Sequence, residues 1–180
     1  MDHRPFEKVM AANRGEIAIR IFRACYDLDI RTLAIYSKED TMNLFRTKAD
    51  EAYLIGEHLS PLGAYLAIDE IIALAKKRGV DAIHPGYGFL SENAAFALAC
   101  EEAGIKFIGP PSRVLARMGD KLEAKKIAVA CGVPVIPGTR EPLKNAEEAL
   151  EKAAEFGYPV ILKAAAGGGG RGMRLCEKPE

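Results

Sequence analysis

The chain of 180 residues carries no excess of charge: 25 Lys and Arg stand against 25 Asp and Glu, a formal net charge of zero. That balance gives no reason to expect a nucleic-acid surface. No apolar run approaches the ~20 residues that span a bilayer, so a membrane is not an expected partner either. A paired-cysteine motif is also missing. Cys25, Cys100, Cys131 and Cys176 are widely spaced and read as reduced, mostly buried thiols rather than a disulfide framework or a metal site. His3, His58 and His84 show no metal-ligand spacing. The stretch before the first strand is too short for a signal or transit segment, and a cytoplasmic protein is expected. The apolar and charged fractions, 49% and 28%, suit an ordinary globular chain. The length suits one domain, or one domain and part of another.

Two phosphate-binding fingerprints are absent as well. The turn after the first strand reads Ala12-Asn13-Arg14-Gly15-Glu16, where a dinucleotide-binding fold would carry GxGxxG. Glu16 at the helix start would repel a phosphate. No P-loop occurs, since that pattern requires a lysine and a Ser or Thr directly after its last glycine.

What the chain does have is a glycine cluster of another kind, at Pro159–Cys176. Val160–Leu162 is a short apolar run that suits a buried strand, and Met173–Cys176 suits its returning partner. Between them lie Gly167, Gly168, Gly169, Gly170, Arg171 and Gly172. Glycines let backbone N–H groups approach a ligand closely, and successive free amides form an anion-binding concavity. Lys163 adds a point charge at the end of the first strand. The stretch reads as a polyphosphate cradle, with a flexible hairpin that binds nothing as the other reading. The chain stops at Glu180, a few residues past this loop, and a truncated unit is expected.

Upstream, strands and helices alternate. Lys8–Ala12 reads as a strand. Ile17, Ile21, Cys25 and Leu28, with Phe22 beside them, recur at helical spacing. Arg31–Tyr36 is a second strand, Ser37–Asp40 a polar loop, and Ala52–Ile55 a short strand. Tyr65–Arg78 reads as one amphipathic helix stopped by Gly79. Ala82–His84 and Lys106–Ile108 are further strands, separated by a helix through Phe96, Leu98 and Cys100 that Ser91 or Asn93 can cap. This order predicts a doubly wound α/β domain with a mainly parallel sheet and right-handed crossovers over residues 1–110. It has a Rossmann-like shape without the usual nucleotide site. Gly109-Pro110-Pro111-Ser112 marks a boundary. Residues 111–133 read as a helical connector, with helices over Ser112–Met118 and Lys121–Cys131. Residues 134–180 read as the start of an α+β unit, its helix Asn145–Phe156 turning Ala146, Leu150, Ala153 and Ala154 inward.

Three positions in or beside these elements invite a functional reading. Asn13 is either a turn or cap residue or lies near a ligand. His84-Pro85-Gly86-Tyr87-Gly88 leaves the strand ends where open α/β sheets bind ligands, and Tyr87 offers a flat face; a tight structural loop is the other reading. Lys121 opens a helix, where a cation opposes the dipole, so it serves a phosphate or is a solvated lysine.

Taken together, Ala12–Ala18 (ANRGEIA), His84–Asn93 (HPGYGFLSEN), Phe107–Pro110, Met118–Lys121 and the Gly167–Met173 loop resemble the biotin carboxylase component of biotin-dependent carboxylases, in order and in spacing. Within that family, Phe45–Gly56 and Gly132–Thr139 look most like the pyruvate carboxylase subfamily. The resemblance implies a pre-ATP-grasp domain followed by an incomplete ATP-grasp lid. It implies use of MgATP and bicarbonate to carboxylate a biotin carried on another domain. Lys121 and Lys163 would contact the nucleotide phosphates, Gly167–Gly170 and Gly172 would form the lid loop, and Tyr87 would lie on the biotin side. Some members carry a further glycine where Ala166 stands. The Mg²⁺-binding glutamates, the catalytic base and the bicarbonate- and biotin-binding arginines would lie beyond residue 180, so these residues alone are expected to be inactive. The implied partners are the rest of the carboxylase domain, the biotin carrier and carboxyltransferase domains, and further copies in a homo-oligomer. The biotin carboxylase of an acetyl-CoA or other acyl-CoA carboxylase, or a non-catalytic scaffold, is the alternative.

Overall fold

The computed structural model describes residues 6–139, 141–164 and 172–179, and the chain divides into two compact units, Met1–Gly119 and Asp120–Glu180. The first begins with β1 (Lys8–Ala11), α1 (Gly15–Asp27) and β2 (Arg31–Tyr36), followed by 3₁₀ turns at Lys38–Asp40 and Leu44–Lys48. Next come β3 (Glu51–Leu54), α2 (Pro61–Tyr65), α3 (Ile68–Lys77), β4 (Ala82–His84), α4 (Ala94–Glu102), β5 (Lys106–Phe107) and α5 (Ser112–Gly119). The strands form one sheet in the order β3-β2-β1-β4-β5, and every pairing is parallel. The doubly wound α/β reading is therefore correct.

Both faces of the sheet are covered, which explains the near-continuous apolar strands. On one face, Val9, Ala11, Ala34 and Ala82 pack with Ala18, Ile21, Phe22 and Cys25 of α1. Three of these four strand residues are alanines, and small side chains let the helix seat close to the sheet. On the other face, Met10, Leu33, Ile35 and Ile83 meet Tyr65, Ile71, Ala75, Phe96 and Cys100. Phe96 is fully buried, with its ring edge-on to Phe107 at 5.9 Å between centroids.

The structure changes several expectations. Tyr65–Arg78 is two helices, α2 and α3, broken at Leu66–Ala67. Ser60 caps the first by accepting the Gly63 N–H at 3.1 Å, and Pro61 takes its first position, where the missing N–H costs nothing. Leu28 ends α1 and is 70% exposed, and Leu98 is also largely exposed. Of the two candidate caps of α4, Asn93 does the work, accepting the Phe96 N–H at 2.9 Å.

The second unit contains α6 (Lys121–Ala130), α7 (Ala146–Phe156), β6 (Val160–Lys163) and β7 (Met173–Cys176). β6 and β7 pair antiparallel, Lys163 opposite Met173, as the hairpin reading required. The division falls between α5 and α6, because α5 packs on α4 and Leu115 joins the first core. The two helices read as a connector thus belong to different units. Val160–Leu162 is not a buried strand: Ile161 is 55% and Leu162 40% exposed. Of the four α7 residues expected inward, Ala153 alone is buried. The cause is common to both. Among the described residues this sheet has two strands, too few to bury a face. No helix among the described residues is long and apolar enough to cross a membrane.

Candidate functional site

In the first unit, β1 lies between β2 and β4, so chain connections run outward in opposite directions from this point. Open α/β sheets bind ligands in the crevice beyond such strand ends. Two segments meet there, the turn Asn13–Glu16 after β1 and the loop Pro85–Leu90 after β4. They are joined at the root by the Ala12 N–H, which donates to the His84 carbonyl at 2.9 Å.

Asn13 fastens them further up. It is 3% exposed, and its Nδ2 donates to the Pro85 carbonyl at 2.7 Å and the Tyr87 carbonyl at 2.8 Å. Its Oδ1 accepts the Arg14 N–H at 2.8 Å. Both donors and one acceptor of the amide are used, so the buried group is satisfied. Asn13 is thus a lock for the loop after β4, not a simple cap. The loop depends on it sterically too. Gly86 has φ +65°, and a Cβ there would stand 2.7 Å from Asn13 Nδ2. Only glycine meets both demands.

Tyr87 follows, 62% exposed. Its hydroxyl donates to Glu16 Oε1 at 2.6 Å, a charge-assisted bond that raises the phenol pKa above its usual value. The carboxylate that would repel a phosphate at the start of α1 is in fact the anchor of this ring. His84 lies half-buried below, its Nδ1 accepting the Gly86 N–H at 3.0 Å. Burial lowers its pKa, favouring the neutral ring that this acceptor role requires.

A second restraint was not foreseen in the sequence. Asp40, 3% exposed, pairs with Arg14 through both carboxylate oxygens, with the Arg14 Nε at 2.6 Å. Its Oδ2 also accepts the Tyr65 hydroxyl at 2.7 Å, and Tyr65 in turn accepts the Ser37 N–H at 3.1 Å. The bonds from Arg14 hold the Asp40 pKa below the usual carboxylate range, against the opposing effect of burial. Burial, reinforced by Asp40, pushes the Tyr65 phenol well up. The Tyr65 ring stacks on Phe89 at 5.2 Å between centroids. Phe89 has φ +40°, a conformation costly for a non-glycine residue, and the stack helps offset that cost. The turn after β1 therefore reaches the loop after β4 through Asn13, Arg14 and Glu16.

The other expected site residues lie in the second unit. Asp120 caps α6, its Oδ1 accepting the Leu122 and Glu123 N–H groups at 2.8 and 3.0 Å. These bonds lower the Asp120 pKa. The capping carboxylate offsets the dipole penalty on Lys121, which opens the helix exposed. Lys163 is exposed at the end of β6. Beyond it, the Ala164 N–H donates to the Gly172 carbonyl at 2.8 Å. Gly172 has φ +73°, and a Cβ there would lie 2.8 Å from the Ala164 Cβ. Gly167, Gly168, Gly169 and Gly170 lie outside the described residues. Among the described residues, no group of three His, Cys, Asp or Glu side chains could hold a metal ion.

Comparison with known proteins follows the same division. The family profile described as Biotin carboxylase, N-terminal domain matches residues 5–115. The profile described as Carbamoyl-phosphate synthase L chain, ATP binding domain matches residues 120–180. The chain is 59% identical to the mitochondrial pyruvate carboxylase of Mus musculus over all 180 residues, which span 15% of that protein. It is 57% identical to the pyruvate carboxylase of Bacillus subtilis over 175 residues, 97% of this chain and 15% of that one. Among solved structures, it resembles the biotin carboxylase domain dimer of the Hydrogenobacter thermophilus 2-oxoglutarate carboxylase, in complex with MgADP, ADP and bicarbonate. There the TM-score is 0.92 at 52% identity, covering 98% of this chain and 39% of the other.

Proposed function

Because the chain belongs to the family of biotin carboxylase N-terminal domains, we propose that it is the N-terminal part of an ATP-dependent biotin carboxylase. In the complete enzyme, bicarbonate attacks the γ-phosphorus of MgATP to give carboxyphosphate and ADP. The carboxyl group then passes to N1 of a carrier-borne biotin, which gives up its N1 proton as inorganic phosphate is released. The observation that carries this reading is a division of labour. The first unit uses its switch-point turn, where a nucleotide site would need glycines, to hold the Tyr87 loop through Asn13 and Glu16. That crevice is left for a ligand other than a phosphate, and Tyr87 is assigned to the biotin side. The residues suited to phosphate all belong to the second unit. Lys121 and Lys163 would neutralise charge on the triphosphate, and Gly167–Gly170 with Gly172 would close over it. Phosphoryl transfer asks mainly for positioning and charge neutralisation. The ligands of Mg²⁺ are assigned to parts of the domain beyond residue 180.

The chain spans 15% of its pyruvate carboxylase relatives, so the activity is proposed for the whole protein. The remainder of the carboxylase domain, the carrier and carboxyltransferase domains, and a homo-oligomeric state are proposed with it. Pyruvate is the acceptor proposed, on 59% identity along the full chain. The 52% identity to a 2-oxoglutarate carboxylase supports that oxo-acid as the second reading. Four free cysteines fit a reducing compartment, and the cytoplasm is proposed; the mouse relative is named as mitochondrial, so cell fractionation decides.

The test is bicarbonate-dependent ATP hydrolysis. The complete protein is expected to turn over, and Lys121→Ala and Lys163→Ala should each raise KM for ATP at least about tenfold. The 180 residues alone should show only background. Full turnover by these residues, or unchanged KM in both variants, would overturn the assignment.

A further inference from the structure

The turn after β1 places three consecutive kinds of restraint on one loop, and one of them acts on a side chain rather than on backbone. Asn13 fixes the carbonyls on either side of Gly86. Arg14, through Asp40 and Tyr65, supports the strained Phe89. Neither bond reaches the Tyr87 ring, which is largely exposed and would otherwise sample several rotamers. Glu16 is the group that reaches it, across 71 residues of sequence, at 2.6 Å.

Glu16 stands in the first turn of α1, where the helix dipole favours a carboxylate. Its anchor is itself fixed, because α1 packs on the sheet through Ala18, Ile21 and Phe22. An exposed hydrogen bond of this kind adds little to stability. It does preset the ring before a ligand arrives, so that less rotamer freedom is lost on binding.

We propose that Glu16 is a positioning residue, which holds the Tyr87 ring in the orientation that receives the biotin ring system. This rests on the assignment of Tyr87 to the biotin side. Glu16 touches no substrate and acts through the phenol alone. The hydroxyl donates its proton to the carboxylate, and the ring face is left for the ligand.

The experiment measures carboxylation of free biotin by the complete protein and its Glu16→Ala, Glu16→Gln, Tyr87→Phe and Tyr87→Ala variants. Glu16→Ala and Tyr87→Phe should each raise KM for biotin about 3- to 10-fold, with kcat falling less than KM rises. The Glu16→Ala/Tyr87→Phe double variant should be no worse than either single one. Glu16→Gln should recover most of the loss, since its amide oxygen still accepts the phenol proton. In the 180-residue chain labelled on its tyrosine rings, Glu16→Ala should shift the NMR signal that Tyr87→Ala removes. If Tyr87→Ala raises KM and Glu16→Ala does not, the tether is refuted while the place of Tyr87 stands. If neither changes KM, the place of Tyr87 is wrong and the tether has no part in biotin binding. Additive effects in the double variant would also refute the tether. Both side chains are exposed, and melting curves that match the parent chain exclude misfolding as the cause.

Discussion

The two units divide the same kind of chain in different ways. In the first, five parallel strands are covered on both faces, and side chains as large as Phe96, Tyr65 and Met10 are almost wholly excluded from water. In the second, two antiparallel strands leave Ile161, Leu162, Met173 and Leu175 between 40% and 58% exposed, and Ala153 is the one buried apolar residue among those described. The contrast shows where the buried core resides. The ring-bearing loop of Tyr87 is held by a completed sheet and three side chains. Lys121 and Lys163 are carried by a helix end and a two-stranded hairpin. The ring proposed to be preset therefore stands on the more buried support. The two lysines proposed for phosphate thus stand on the less buried of the two supports.

Core truncation should give the largest difference. Phe96→Ala removes a fully buried ring in edge contact with Phe107 and is expected to destabilise by about 3–5 kcal/mol. Ile161→Ala, at 55% exposure, should stay within about 1 kcal/mol. Urea denaturation of the chain, followed by circular dichroism, checks both. Equal losses would break the comparison.

The next effect comes from the network that the sequence hid. Asp40→Asn leaves Arg14 without its carboxylate and the Tyr65 hydroxyl with a weaker acceptor. A loss of about 2 kcal/mol is expected, below the ~3–5 kcal/mol of a fully buried pair because the Arg14 side chain is 45% exposed. The Asp40 pKa is lowered in the folded state, chiefly by Arg14. Its contribution is therefore present above the ordinary carboxylate range and lost as pH falls through the folded value. Acid denaturation of Asp40→Asn should lack that part of the slope. A parallel pair of acid curves would refute the network's role.

How far the sequence could be read depended on how local each cause was. Strands and helices of the first unit follow from apolar periodicity and stop signals, and apart from α2 and α3 they appear within a residue or two of their expected ends. The break at Leu66–Ala67 was missed because Ile68, Ile71, Ile72 and Ala75 continue a helical stripe from Tyr65, although Ser60-Pro61 already signals an earlier start. Tyr65 belongs to the shorter helix and points its hydroxyl at Asp40. The exposure of Val160–Leu162 was missed for another reason. An apolar run implies burial only when a second layer is there to cover it. In the candidate site, the legible parts were Tyr87 and the glycines of its loop, marked by composition and by the sheet edge. The groups that hold them were not legible in these roles. Asn13, Glu16 and Asp40 meet their partners across 72, 71 and 26 residues, and no spacing rule reports such pairs. The charge of Glu16 argues against a phosphate at this turn, but nothing in its spacing reports the bond it accepts from the Tyr87 hydroxyl.

The smallest expected effect tests the same contrast by pH. All three histidines of the chain lie before residue 120. His84 is the informative one. Burial lowers its pKa below the usual 6.5, so as pH falls through that value the unfolded chain takes up a proton before the folded one does. Stability from this group is complete above about pH 6.5 and declines as pH falls towards the folded pKa, below which no more is lost. Protonation also places an N–H where Nδ1 accepts the Gly86 N–H, so the same proton removes a bond at the base of the Tyr87 loop. Unfolding midpoints measured across this range should fall with pH for the parent chain and stay flatter for His84→Gln. In hydrogen exchange, the Gly86 amide should lose protection before the β6–β7 amides do. If both respond together, the loop is not held independently of the second unit.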